Sequence, residues 1–214
     1  MLVLEEIFKD RKHENTDQFN LRIHRGLSWL KKAIDLDQDI DLKFITLWIS
    51  FNAVYAQETT AVQDKQILRQ FIDKICHADH EHKIYKIIWE KYSQPVRLFM
   101  QNPYAFQEFW DFQNQKISKS EWKEDFESEK NRASQALENK NTPETLMMLF
   151  SRLSTLRTQL IHGGATHNST VNRKQLYDGC HLLSALISAF LFLLLENAAI
   201  LDQGKPFYPV VQMS

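Results

Sequence analysis

Residues 142–164 read TPETLMMLFSRLSTLRTQLIHGG, and this stretch decides how the rest of the chain is interpreted. It opens with a helix start, because the Thr142 hydroxyl can cap the first turn, Pro143 suits its first position and Glu144 favours the positive end of the helix dipole. Apolar residues then recur at three- and four-residue steps. Gly163 and Gly164 predict the stop, since glycine readily adopts the left-handed conformation that closes a helix. The stretch therefore predicts a helix over about residues 142–162.

Three other stretches have helical periodicity, at about residues 16–35, 42–58 and 170–199. In the first, apolar residues repeat every three or four positions, and charged residues such as Arg22 fall on other faces. The second is apolar nearly all round, and the third has Thr170 as its candidate cap. Residues 61–141 are richer in charge and aromatic rings, and Pro95 and Pro103 interrupt them, which indicates shorter helices.

These patterns predict an all-α fold in which the whole chain, residues 1–214, is a single domain. We expect an antiparallel bundle of four long core helices, built from about residues 16–60 and 142–200, with residues 61–141 as an inserted helical subdomain. The composition agrees with a helical fold, because 5 glycines and 5 prolines in 214 residues can supply only a few tight turns. This scarcity argues against β-sandwiches, barrels and glycine-rich phosphate loops.

The formal net charge is −1, so no overall field attracts the protein to polyanions and any contact with nucleic acid depends on a local basic patch. Two distant cysteines and no secretory hydrophobic region after Met1 indicate a reducing, cytoplasmic setting. The uncharged run Gly179–Leu195 is shorter than a usual membrane span of about 20 residues. We interpret it as a buried helix, and its apolar character on every face favours a homodimer.

One cluster of metal-ligating residue types is present, in the stretch CHADHEH at residues 76–82. On a helix His77 and His80 would share a face, and Asp79 or Cys76 could add a third ligand. No second ligand group at a recognised spacing accompanies them. The favoured interpretation is a polar, solvated helix junction without metal, and a zinc-dependent hydrolase is the minor alternative.

A second candidate site combines Arg157 and His162 at the end of the predicted helix over residues 142–162. Five residues on a regular helix correspond to about 140° of rotation and 7.5 Å of rise. The two side chains therefore share a face only if the last turn unwinds or the arginine reaches around. The glycines that follow His162 would also leave the backbone beside it open to a ligand.

This Arg-x4-His pair, together with the segment Trp48-Ile-Ser-Phe51-Asn52-Ala-Val-Tyr55, resembles the HEPN family of helical proteins and in particular its Apea-like branch. The resemblance implies a dimeric ribonuclease that needs neither metal nor cofactor, with a cleft built from the arginine and histidine of both subunits. His162 would be the general acid/base and Arg157 would bind the scissile phosphate. Supporting roles fall to Asn52, Thr158 and Gly163.

The chain departs from the family pattern at three places. Family members often carry asparagine directly after the arginine, where this chain has Thr158. Toxin members that a nucleotidyltransferase antitoxin modifies carry tyrosine two residues after the histidine, where this chain has Gly164. An acidic residue is common on the second helix, and here only Asn52 or Glu58 is available.

Two functions from different classes follow from the resemblance. The first is an RNA-cleaving enzyme of the toxin or phage-defence type. Its partners would be RNA, a second copy of the chain, and an antitoxin or regulatory protein, and it would not bind a membrane. The second is a non-catalytic HEPN-like module that binds a nucleotide, RNA or a protein. The retained His162 favours the enzyme, because loss of this histidine would mark the non-catalytic module.

Overall fold

The computed structural model describes residues 1–57 and 61–209, except the side chains of residues 61 and 62. Over these residues the chain is helical and contains no strand, which confirms the predicted all-α class. The α-helices are α1 (Leu2–Arg11), α2 (Asp17–Asp35), α3 (Ile40–Tyr55), α4 (Ala61–His77), α5 (Lys83–Lys86), α6 (Ser93–Gln101), α7 (Gln107–Gln113), α8 (Lys119–Glu138), α9 (Thr142–Ile161), α10 (Arg173–Glu196) and α11 (Ala198–Leu201). Short 3-10 turns cover Lys12–Glu14 and Pro103–Ala105, and a π-helical turn covers Ile87–Lys91.

The four predicted long helices correspond to α2, α3, α9 and α10. The α3 helix ends at Tyr55, and Glu58, the last residue of the predicted second helix, lies outside the described residues. The predicted cap at Thr170 is wrong, because α10 begins only at Arg173. The backbones of Asn168 and Asn172 have φ angles of 58° and 56°, a left-handed conformation that asparagine tolerates and that keeps the chain in turns up to that point.

Two features of the fold were not anticipated. The α1 helix precedes the predicted first helix, and it buries Leu4 and Phe8. The α8 helix has 20 residues, although shorter helices were expected over residues 61–141. It begins with a capping box, in which Ser118 accepts from the Glu121 N–H and the Glu121 carboxylate accepts from the Ser118 N–H. Such a cap stabilises the start of a helix whose surface is largely polar.

The chain divides into two compact units. The first unit comprises the residues up to Ile84 together with those from Cys180 onward, and the second comprises Tyr85–Gly179. The α2 and α3 helices belong to the first unit, and α9 belongs to the second. A single domain with a four-helix core and an inserted subdomain stays a prediction.

The core of the first unit is organised by the antiparallel pair α2 and α3. Ser50 Oγ donates to the carbonyl of Gly26 at 2.7 Å, and Arg22 Nη1 donates to the carbonyl of Val54 at 3.1 Å. A Cβ added at Gly26 would lie 3.0 Å from the Val54 side chain and 3.1 Å from Leu191 on α10. Glycine at this position therefore lets α2 approach both α3 and α10 closely.

Arg22 is buried in this core, although it is charged. Its side chain is 1% exposed, and Nη1 donates to the carbonyls of Val54 and Ala56. Nη2 donates to the carbonyls of Gly204 and Lys205. Burial lowers the pKa of Arg22 to about 10, and the nearby carboxylate of Asp202 opposes this shift. The guanidinium donates to carbonyls in the last turn and at the C-cap of α3, where helix carbonyls lack intrahelical donors.

The α10 helix is long and apolar enough to cross a membrane by length and composition alone. However, 67% of its most apolar window is buried inside the protein, which is the pattern of a core helix in a soluble protein and confirms the interpretation of this run as a buried helix. Of residues 179–195, only His181 is exposed. The apolar side chains that suggested a homodimer are thus largely covered within one chain, and the homodimer stays a prediction.

We predict that Arg22→Met destabilises the protein by about 2 to 4 kcal/mol, because buried main-chain carbonyls lose their donors. Lys32→Met, an exposed change on the same helix, serves as the matched control and should alter the free energy of unfolding by less than about 0.5 kcal/mol. Urea denaturation followed by circular dichroism measures both. Equal effects of the two substitutions would contradict the role assigned to Arg22.

Candidate functional site

The end of α9 is closed by a double hydrogen-bond motif that fixes the position of His162. The Gly163 N–H donates to the Leu160 carbonyl at 3.2 Å, and the Gly164 N–H donates to the Gln159 carbonyl at 2.7 Å. Gly163 has a φ of +68°, the left-handed conformation that this motif requires. The predicted stop at these glycines is therefore confirmed, and His162 is the last residue before the chain turns away.

The surroundings of His162 are open. Its side chain is exposed, and a Cβ added at Gly163 would have no atom within 4 Å. A ligand can thus approach the histidine and the adjacent backbone. At Gly164 the space is filled, since an added Cβ would lie 3.1 Å from the Gln159 carbonyl.

Arg157 is half-buried on α9, and the helix remains regular as far as Ile161. The last turn does not unwind, so Arg157 and His162 stay about 140° apart around the helix axis. Thr158 lies on the side of His162, because it is four residues earlier and its carbonyl accepts from the His162 N–H at 3.0 Å. Within one chain, therefore, His162 and Thr158 are neighbours, whereas Arg157 lies around the helix.

Asn52 belongs to α3 in the first unit, whereas Arg157, Thr158, His162 and Gly163 belong to the second unit. The Asn52 side chain is half-buried. The fully buried hydroxyl on α3 is Ser50, which bonds to Gly26 and has a structural role. Glu58, the acidic alternative to Asn52, lies outside the described residues.

Three residues near the end of α9, namely Gln159 and its two hydrogen-bond partners, were missed by the sequence analysis. Gln159 donates from Nε2 to the Tyr104 carbonyl at 2.8 Å and accepts at Oε1 from Asn172 Nδ2 at 2.9 Å. It therefore ties the 3-10 turn Pro103–Ala105 and the start of α10 to the end of α9. Helical spacing could have placed Gln159 next to His162, but no local pattern links it to Tyr104, 55 residues away.

The contacts in residues 76–82 support a helix junction, but the expectation that the whole junction is solvated is wrong, because Ala78 and Asp79 are buried. Asp79 is buried, and its two carboxylate oxygens accept from the N–H groups of Lys83 and Ile84, both at 2.7 Å, at the start of α5. Burial and two nearby carboxylates raise the pKa of the Cys76 thiol to about 12, which disfavours the thiolate that a metal would need. Among the described residues, no three ligand atoms of this segment lie within 4.8 Å of one another.

Comparison of the chain with known protein families, curated proteins and solved structures gave no match. The resemblance to the HEPN family therefore depends on the Arg157 to His162 pair and the Trp48 to Tyr55 segment alone.

We predict that Asp79→Ala lowers the free energy of unfolding by about 1 to 2 kcal/mol, because α5 loses its cap. The loss should be the same in EDTA and in excess zinc chloride, and Asp73→Ala, an exposed change on α4, should have little effect. Thermal and urea unfolding measure these values. A zinc-dependent gain in wild-type stability that disappears in Asp79→Ala would contradict the junction and indicate a metal site.

Proposed function

We propose that the chain is a metal-independent endoribonuclease of the HEPN type, with His162 as general acid/base and Arg157 as the residue that binds the scissile phosphate. The observation that carries the proposal is the exposed His162 at a helix end, beside a glycine whose backbone is open to a ligand. An RNA strand can reach the imidazole there without displacing other side chains.

The proposed reaction needs few protein groups because RNA supplies its own nucleophile. A histidine removes the proton from the 2′-hydroxyl, the oxygen attacks phosphorus, and the bond to the 5′-oxygen breaks while that oxygen receives a proton. Histidine suits this role, since it ordinarily titrates at about pH 6.5. The guanidinium of Arg157 would bind phosphate oxygens and stabilise the charge that develops on them. The products carry a 2′,3′-cyclic phosphate and a 5′-hydroxyl.

The charge pattern of this part of the chain also supports RNA as the substrate. No acidic residue occurs between Glu144 and Asp178, and this interval carries four cationic side chains and two histidines. Three of the cationic residues, Arg157, Arg173 and Lys174, are at least partly exposed, whereas Arg152 is buried and is not available to phosphate. Although the net charge of the protein is −1, this segment has the local positive charge that phosphate contacts require.

The proposal includes a second copy of the chain. Since Arg157 and His162 lie about 140° apart around one helix, a second subunit would supply the groups that complete the cleft. Such an enzyme acts in the cytoplasm, where the free thiols of Cys76 and Cys180 stay reduced. An antitoxin or regulatory protein would restrain it there.

The same separation of Arg157 and His162 favours a second candidate function, a non-catalytic HEPN-like module that binds a nucleotide, RNA or a protein partner. In that case Arg157 would bind phosphate and His162 would take no part in catalysis. The two functions differ in the effect of removing the imidazole. In the enzyme, RNA cleavage is lost, whereas in the non-catalytic module ligand binding is unchanged.

We predict cleavage of single-stranded RNA in EDTA, because no ion is needed to activate the nucleophile. His162→Ala should lower the rate by about 10² to 10⁴, the usual contribution of general acid/base catalysis. Arg157→Ala should weaken both binding and turnover and reduce the salt dependence of binding. Gel-based cleavage rates and binding titrations measure these effects.

His80→Ala replaces an exposed histidine in the first unit and is the matched control, for which we expect wild-type activity. Cleavage that disappears with EDTA, or that survives both Arg157→Ala and His162→Ala, would contradict the proposed site. RNA binding without cleavage in the wild type would favour the non-catalytic module.

We also predict that the active form is a homodimer. Light scattering at micromolar concentration should give twice the chain mass of 25.3 kDa, and the specific activity should fall on dilution as the dimer dissociates. A monomer whose specific activity does not depend on concentration would contradict the composite cleft.

A further inference from the structure

Tyr104 is an exposed aromatic residue with a fixed backbone. Its side chain is 52% exposed, and its N–H donates to Asn102 Oδ1 at 3.0 Å. Its carbonyl accepts from Trp110 Nε1 and from Gln159 Nε2, both at 2.8 Å. Both backbone polar groups are therefore held, which is unusual for a residue in a short surface turn.

The ring of Tyr104 packs against other aromatic rings. It meets Phe109 edge to face, with 5.2 Å between the ring centroids, and Phe109 meets Trp122 in the same way at 5.3 Å. Such contacts favour one ring orientation over others. The ring is thus oriented before any ligand arrives, and half of its surface faces solvent.

The turn that carries Tyr104 is hydrogen-bonded to α9 three residues before His162. The Gln159 side chain that holds the Tyr104 carbonyl is three residues before His162, and residues at this spacing are neighbours on a helix surface, with about 5 to 6 Å between their Cβ atoms. The Pro103–Ala105 turn packs on α9. The backbone of the exposed Tyr104 is therefore fixed to α9 within one turn of the exposed His162.

We propose that Tyr104 is the stacking residue for a nucleobase of the single-stranded RNA bound at His162. This assignment rests on the proposed ribonuclease function. Unpaired bases stack on aromatic side chains whatever their sequence, because every base has a π-face. A ring fixed in advance loses little conformational entropy on binding, so it can position the ribose next to the imidazole.

The test uses the full chain and a fluorescent random-sequence RNA whose 2′-hydroxyls are methylated, so that it binds without being cleaved. Loss of one stacked base should raise Kd by about five- to 150-fold. We expect this increase for Tyr104→Ala and for Tyr104→Leu, which keeps an apolar contact with Phe109 but has no π-face. Tyr104→Phe should bind like the wild type, as should Tyr208→Ala, an exposed tyrosine in the first unit.

A second probe distinguishes the loss of stacking from a general loss of structure in the variant. A phosphate chain of the same length with abasic tetrahydrofuran units cannot stack, so Tyr104→Leu and the wild type should bind it equally. Circular dichroism verifies that each variant is folded, and Tyr104→Phe keeps the test informative if the smaller side chains impair folding.

The outcomes distinguish this inference from the proposed function. If the wild type binds and cleaves RNA in a manner that depends on His162, but Tyr104→Leu binds as tightly, the stacking role is overturned and the ribonuclease stands. Equal weakening by Tyr104→Phe, or weaker binding of the abasic chain by Tyr104→Leu, also overturns it. If the wild type neither binds nor cleaves RNA, both proposals fail together.

Discussion

The first unit depends on one buried cation. The Arg22 guanidinium, removed from water, donates to the carbonyls of Val54, Ala56, Gly204 and Lys205. Burying a charge is costly unless hydrogen bonds replace its hydration, and here four carbonyl oxygens do so. Those carbonyls lie at the end of α3 and after α11. A single side chain therefore fixes both the end of α3 and the position of the segment that follows α11. One turn further along α2, Gly26 and Ser50 hold α2 and α3 in the same antiparallel register.

The second unit contains another buried arginine. Arg152 is 2% exposed, and its guanidinium carbon lies 4.5 Å from the centre of the Phe106 ring, while Nη2 lies 3.7 Å from the Glu129 carboxylate. Burial lowers the pKa of Arg152, and Glu129 opposes that shift. Arg152 anchors the middle of α9 inside the unit, whereas the end of the same helix carries the exposed His162. A rigid helix with an open end is a suitable support for a side chain that must exchange protons with a ligand.

Periodicity alone predicted the four long helices, and the glycines predicted the end of α9, because both signals act between residues close in sequence. The predictions that failed depend on interactions that the local pattern does not contain. The burial of Arg22 could not be predicted, since its partners are main-chain carbonyls that leave no mark in the sequence. Thr170 looked like a cap, but left-handed Asn168 and Asn172 delay the start of α10. Arg157 and His162 were found by their spacing, whereas Tyr104 is tied to α9 by a hydrogen bond between residues distant in sequence.

The ends of the cleaved RNA test the central claim most directly. An oligodeoxynucleotide with one ribonucleotide, incubated with the protein in EDTA, can be analysed by mass spectrometry. A general acid/base mechanism that uses the 2′-hydroxyl predicts a single cut after the ribonucleotide, with a 2′,3′-cyclic phosphate on one fragment and a 5′-hydroxyl on the other. Fragments that end in a 5′-phosphate and a 3′-hydroxyl, or an oligonucleotide that stays intact, would contradict the account.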